Sequence, residues 1–134
     1  MRAVLAAAVL ATLAVASTTS ASASTGTSLR ITYWEDSAAP MVSVTWTLRC
    51  GPVAGSLPRP TRACRRLAQG GVELFAPTPK NVACTEIYGG PQRARVVGTV
   101  KGKRIWATFT RSNGCEISRW QRISPWLVPP GGVT

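Results

Sequence analysis

The chain has no histidine. That absence excludes Ser-His-Asp and Cys-His catalysis and takes away the usual zinc ligand. Carboxylates are scarce too: the five are Glu35, Asp36, Glu73, Glu86 and Glu116. Only Glu35 and Asp36 adjoin, so no acid/base pair stands out, and no enzyme activity, cofactor or metal site is expected. Past residue 16 no apolar run approaches the roughly 20 residues that cross a bilayer. No internal repeat is found, so a stacked-repeat architecture is set aside.

What is present begins with a leader. Arg2 precedes an almost unbroken apolar run over residues 3–16, and Ala21-Ser22-Ala23 offers a small-residue cleavage pattern. This reads as a secretory signal peptide over residues 1–23, with a second cut conceivable after Ala16. A secreted, extracellular protein is expected, with a flexible lead-in at 24–28, one compact domain over 29–128 and a disordered tail at 129–134. Just over a hundred mature residues suffice for one modest core.

The chain carries 16 basic against 5 acidic residues, a net charge of +11. Such a field attracts nucleic acid, anionic polymers or acidic proteins. The basic residues are scattered rather than gathered in a tract, so no specific nucleic-acid partner and no membrane partner is read from them. The four cysteines, Cys50, Cys64, Cys84 and Cys115, favour disulfides in an exported chain and allow three pairings. Sequential pairing, Cys50 with Cys64 and Cys84 with Cys115, is favoured because it closes two independent loops.

Periodicity supplies the elements. Leu29, Ile31 and Tyr33 alternate with Arg30, Thr32 and Trp34, and Val42, Val44, Trp46 and Leu48 alternate with polar neighbours up to Cys50, giving two strands. A helix is expected after the loop at 51–60, capped by Thr61, with Ala63, Cys64, Leu67 and Ala68 on one face and Gly70-Gly71 as its end. Residues 95–100 and 103–110 read as a hairpin turning at Lys101-Gly102. Residues 111–114 then turn the chain so that Cys115 can reach Cys84, and Trp120, Trp126 and Leu127 are left for packing in the C-terminal stretch.

The organising segment is Val82-Ala83-Cys84-Thr85-Glu86-Ile87-Tyr88-Gly89-Gly90-Pro91. Thr85, Ile87 and Tyr88 favour extended backbone, and the Gly-Gly-Pro run stops a strand. A loop pinned beside a disulfide has already lost conformational entropy and can bind tightly.

Cys50-Gly51-Pro52, Gly55, Leu57-Pro58 and Ala63-Cys64, with Leu67 and Gly70-Gly71, followed by Cys84-Thr85-Glu86-Ile87-Tyr88, Gly102-Lys103-Arg104 and Asn113-Gly114-Cys115-Glu116, resemble the Streptomyces subtilisin inhibitor family. Leu57 stands where that family usually has His, Arg65 where it has Asp or a small residue, and Val100 where it has Trp. The resemblance implies an α+β fold, a five-stranded antiparallel sheet with two helices on one face and two disulfides, in a secreted homodimer. It also implies the sequential disulfide pairing. By the same carry-over the reactive loop comprises Ala83, Cys84, Thr85, Glu86, Ile87 and Tyr88, the scissile bond is Glu86–Ile87, and the partner is a secreted serine endopeptidase. Asn113 is placed to support the loop. Two rival readings are a family fold that binds another secreted protein, such as a transglutaminase, and a basic module on an anionic cell-wall polymer.

Overall fold

A computed structural model describes residues 14–17 and 26–132. The expected signal peptide, apart from residues 14–17, and its cleavage pattern at 21–23 lie outside the described residues. Four strands form one antiparallel sheet: β1 (Thr27–Trp34), β2 (Val44–Cys50), β3 (Arg93–Val100) and β4 (Lys103–Phe109), in the order β2-β1-β3-β4. Two helices follow the sequence order, α1 (Pro60–Gly70) and α2 (Gly114–Ile123), with a 3-10 turn at Gly71–Phe75. Among the described residues the sheet has four strands where the resemblance implied five. The stretch 82–90 is irregular and joins no ladder.

Alternation sets which face of the sheet is buried. Leu29, Ile31 and Tyr33 on β1 lie beside Leu48 on β2, Ala94 and Val96 on β3, and Ile105, Ala107 and Phe109 on β4, all buried. Ala63 and Leu67 of α1 and Trp120 and Ile123 of α2 meet them in one core. Full burial of each large apolar side chain contributes roughly 1.5–3 kcal/mol. Tyr33 stacks on Trp46 with ring centroids 6.0 Å apart, and its hydroxyl donates to Glu35. Burial first, and then that bond to a carboxylate, push its phenol well above the ordinary tyrosine range.

The hairpin turns where expected, with Lys101 and Gly102 both at positive φ, 49° and 79°, as a two-residue turn matched to strand twist requires. The first helix begins differently. Thr61 does not cap it: Arg59 holds the cap position in left-handed backbone with no side-chain cap, and Pro60 opens the helix. Proline's fixed φ suits the first helical position, where its missing N–H has no partner to lose. Ala68, expected on the buried face with Ala63 and Leu67, is exposed.

The second helix occupies residues that sequence periodicity assigned only to a turn and a packing tail. Asn113 caps it, its side chain accepting the Glu116 N–H at 3.0 Å. Trp120, fully buried, donates its indole N–H to the Pro129 carbonyl at 2.9 Å. The stretch after 128 is thereby held against the core at its first residue.

Candidate functional site

Both disulfides follow the favoured pairing, Cys50–Cys64 and Cys84–Cys115. The second one fastens the segment 82–90 to the first turn of α2. From there the loop runs outward and returns within a few residues. Thr85, Glu86, Ile87 and Tyr88 are exposed, Ile87 at 62% and Tyr88 at 57%, whereas Gly89 and Gly90 are buried. Two large apolar side chains that face water on a short, tethered segment form a ready contact strip for a partner.

Each end of this strip is fixed by more than the sulfur bridge. On the entering side the Gly114 N–H donates to the Thr85 carbonyl at 2.9 Å. Backbone and side chain meet so closely there that a Cβ on Gly114 would collide with Thr85 Oγ1, so a larger residue makes the Thr85 side chain shift. On the leaving side the Gly89 N–H donates to the Arg111 carbonyl at 2.7 Å, and Arg111 Nε returns a bond to the Gly89 carbonyl at 3.0 Å. Arg111 continues to the Pro130 carbonyl at 3.0 Å, and its guanidinium lies over the Trp120 ring, 5.8 Å from the centroid. A single arginine therefore ties the loop's exit, the C-terminal stretch and the core tryptophan together.

Helix α2 also holds the chain that leads into the loop. Glu116 accepts from the Thr78 hydroxyl at 2.9 Å and pairs with Arg119 at 2.8 Å, the ion pair being the only one among the described residues. Arg119, only 8% exposed, donates to the carbonyls of Ala76 and Thr108 at 3.0 and 3.1 Å, and Arg122 adds a bond of 3.1 Å to Ala76. Charge-assisted bonds of this kind are among the stronger ones in a fold. Backbone carbonyls at the base of a loop are thus satisfied by cations from one helix.

The residues anticipated for the site are brought together as one surface. Ala83, Cys84, Thr85, Glu86, Ile87 and Tyr88 are continuous on it, with Glu86 at its exposed middle. Asn113 reaches the loop only through the helix it caps, which sets the position of Gly114 and Cys115. Arg111, Arg119 and Arg122 were not anticipated. The Asn113-x-x-Glu116 spacing, a helix-start pattern, is the one sequence signal that would have found the frame carrying two of them.

Comparison with known proteins agrees with this geometry. The family model described as subtilisin inhibitor-like matches residues 12–113. Subtilisin inhibitor-like protein 1 of Streptomyces cacaoi is 38% identical over 78 residues, an alignment covering 54% of this chain and 69% of that protein. With its sequential disulfides, its two helices against an antiparallel sheet and a family match over most of its length, the chain belongs to the subtilisin inhibitor-like family.

Proposed function

We propose that the protein inhibits a secreted serine endopeptidase by presenting residues 83–88 as a substrate that is held too firmly to be released as product. The observation that carries this reading is the exposure of 85–88 between two fastened ends. Ala83 to Glu86 lie extended along the protease cleft and pair with its backbone as an added strand, while the primary pocket takes the Glu86 side chain. The protease serine attacks the Glu86 carbonyl carbon, and the proton it gives up is delivered to the Ile87 nitrogen as the C–N bond breaks. Neither new end can diffuse away. The acyl side stays on Cys84–Cys115 and the Gly114 bond, and the amine side stays on Gly89 through Arg111. The amine remains beside the acyl group, so the bond re-forms faster than water cleaves it.

Glu86 sets the choice of enzyme. Burying a carboxylate in an apolar pocket without a cationic partner costs several kcal/mol. A glutamate-specific endopeptidase, whose pocket supplies positive groups, is therefore the better target, and subtilisin the weaker one. Secretion by the expected leader, a non-catalytic role for the inhibitor itself and the homodimer of its family belong to the same proposal. Prolonged incubation with a catalytic amount of glutamyl endopeptidase, followed by peptide mapping, tests the bond: a first and partial cut at Glu86–Ile87 is expected. Complete digestion, or a first cut elsewhere, would refute it.

A further inference from the structure

The two sides of the Glu86–Ile87 bond are held by different means. On the Glu86 side the chain is fastened covalently, by Cys84–Cys115. On the Ile87 side the hold is a pair of hydrogen bonds between Gly89 and Arg111, one through each residue's backbone and one through the arginine Nε. Whatever seats Arg111 therefore seats that side of the loop.

A short segment, residues 129–132, supplies the seat. Trp120 anchors its start by donating to the Pro129 carbonyl at 2.9 Å, and the Pro130 carbonyl accepts from Arg111 Nη1 at 3.0 Å. Gly131, at a φ of 75°, lies so close against the arginine stem that a Cβ there would stand 2.9 Å from Arg111 Cδ. Left-handed backbone at such a contact calls for glycine. The Gly132 N–H reaches Gln92 Oε1 at 3.4 Å, and the Gly132 carbonyl covers Gly90, where an added Cβ would collide with it. Gln92, 1% exposed, is oriented in turn by its bond of 3.2 Å to Glu35. The segment thus presses on the loop's exit at two points, through Arg111 onto Gly89 and directly onto Gly90.

We propose that residues 129–132 are a latch on the inhibitory loop: they keep its Ile87 side in place after the bond is cut, and so decide whether the protein resists its protease or is consumed by it. This role rests on the reading of residues 83–88 as a substrate mimic. The cut leaves Glu86 as an ester on the protease serine and Ile87 as a free amine. Resealing is attack of that amine on the ester carbonyl, with the amine proton passing to the departing serine oxygen, and it competes with attack by water. Unlatched, residues 87–91 are a flexible tether that offers the amine at an effective concentration on the order of millimolar. Well-oriented nucleophiles reach effective molarities of about 10⁵ M or more, a difference large enough to decide between resealing and hydrolysis. The uncut loop is also held by its own continuity, so loss of the latch falls chiefly on the cut state.

The test uses the full oxidised chain with Gly131→Val, and Arg111→Lys beside it, each incubated with glutamyl endopeptidase. Inhibition on first mixing is read separately from the later return of activity and the amount cut at Glu86–Ile87. Gly131→Val sets a branched side chain at positive φ against Arg111 and should unseat the segment. First inhibition should be nearly unchanged, while turnover of the inhibitor as a substrate should rise by roughly a hundredfold, the scale set by misplacing a reacting group by about 1 Å. Arg111→Lys keeps the charge but not the fork that bridges two carbonyls, and should lie between Gly131→Val and the parent. Leu67→Ala, a core change on α1, controls for general loss of stability, and melting curves check that every variant is folded. Comparable acceleration in Leu67→Ala would assign the effect to loosening of the whole fold and overturn the latch. Unchanged turnover of Gly131→Val and Arg111→Lys, with the parent a full inhibitor, would overturn the latch and leave the inhibitory reading standing. A parent protein that inhibits neither glutamyl endopeptidase nor subtilisin would remove both.

Discussion

Both disulfides clip a surface loop, yet the two loops end up with opposite characters. The one at 51–59, closed by Cys50–Cys64, is absorbed into the sheet edge. Arg49 and Ala54 exchange two backbone bonds of 2.8 and 3.0 Å, the Leu57 N–H reaches the Thr47 carbonyl at 3.0 Å, and Leu57 itself is buried at 4% exposure. The one at 82–90, tethered to α2 by Cys84–Cys115, is gripped at its two ends and left free of ladder bonds between them, with its apolar side chains facing outward. The same covalent device serves stability in the first case and presentation in the second. What decides the outcome is where the backbone bonds go: along the whole segment, or only to its ends.

The largest effect should come from removing the bridges one at a time. Replacing Cys84 and Cys115 by Ser should cost roughly 3–4 kcal/mol of stability and abolish inhibition, whereas replacing Cys50 and Cys64 should cost roughly 3 kcal/mol and leave inhibition largely intact at temperatures where the variant is folded. Urea melts and protease titrations read both quantities, and equal losses of inhibition would erase the contrast. Next is Glu86→Leu, which should tighten binding to subtilisin by about 2 kcal/mol or more, by removing a buried carboxylate. No gain against subtilisin would count against Glu86 as the residue in the pocket.

A smaller effect is expected at the contact between loop and helix. Gly114→Ala forces Thr85 aside and should cost about 1–3 kcal/mol, with binding hurt as well as folding. A change in melting alone would mean that the loop shape tolerates the shift. Asn113→Ala should cost about 1 kcal/mol through loss of the helix cap, with a proportionate and mild effect on inhibition. Smallest, and confined to alkaline solution, is the effect of Tyr33. Its folded phenol titrates above the unfolded value, so its contribution is complete below about pH 10 and is lost as pH rises beyond that. Tyr33→Phe should flatten that alkaline decline in stability, and an unchanged slope would show that other groups cause it.

Much of this could be read in advance, for identifiable reasons. The β1 alternation, the Lys101-Gly102 turn and the sequential disulfides each rest on local chemistry that a single sequence displays; the β2 alternation held only at Trp46 and Leu48, since Val42 lies outside the strand and Val44 is exposed at its start. The exposed strip at 85–88 was legible from its extended residues and the Gly-Gly-Pro stop beside a cysteine. The second helix was implied by the resemblance but could not be placed from periodicity, because its inward face includes Arg119 and its first residue is Gly114. An arginine reads as a solvent residue until its carbonyl partners, Ala76 and Thr108, are brought beside it from 43 and 11 positions away. Arg111 was hidden for the same reason: its partners Gly89 and Pro130 meet it only in three dimensions. The cap expected at Thr61 gave way to Arg59, which offers no side-chain cap, followed by Pro60, whose fixed φ suits the first helical position.

The central claim is that the strip at 85–88 blocks a protease by imitating its substrate. Its most direct test is titration of the mature, oxidised protein against subtilisin and a glutamyl endopeptidase, with residual activity read at each ratio. The account expects a linear fall to near zero at one inhibitor per glutamyl endopeptidase active site, with a weaker, curved response from subtilisin. Undiminished activity of both enzymes at a large excess of the protein would contradict it.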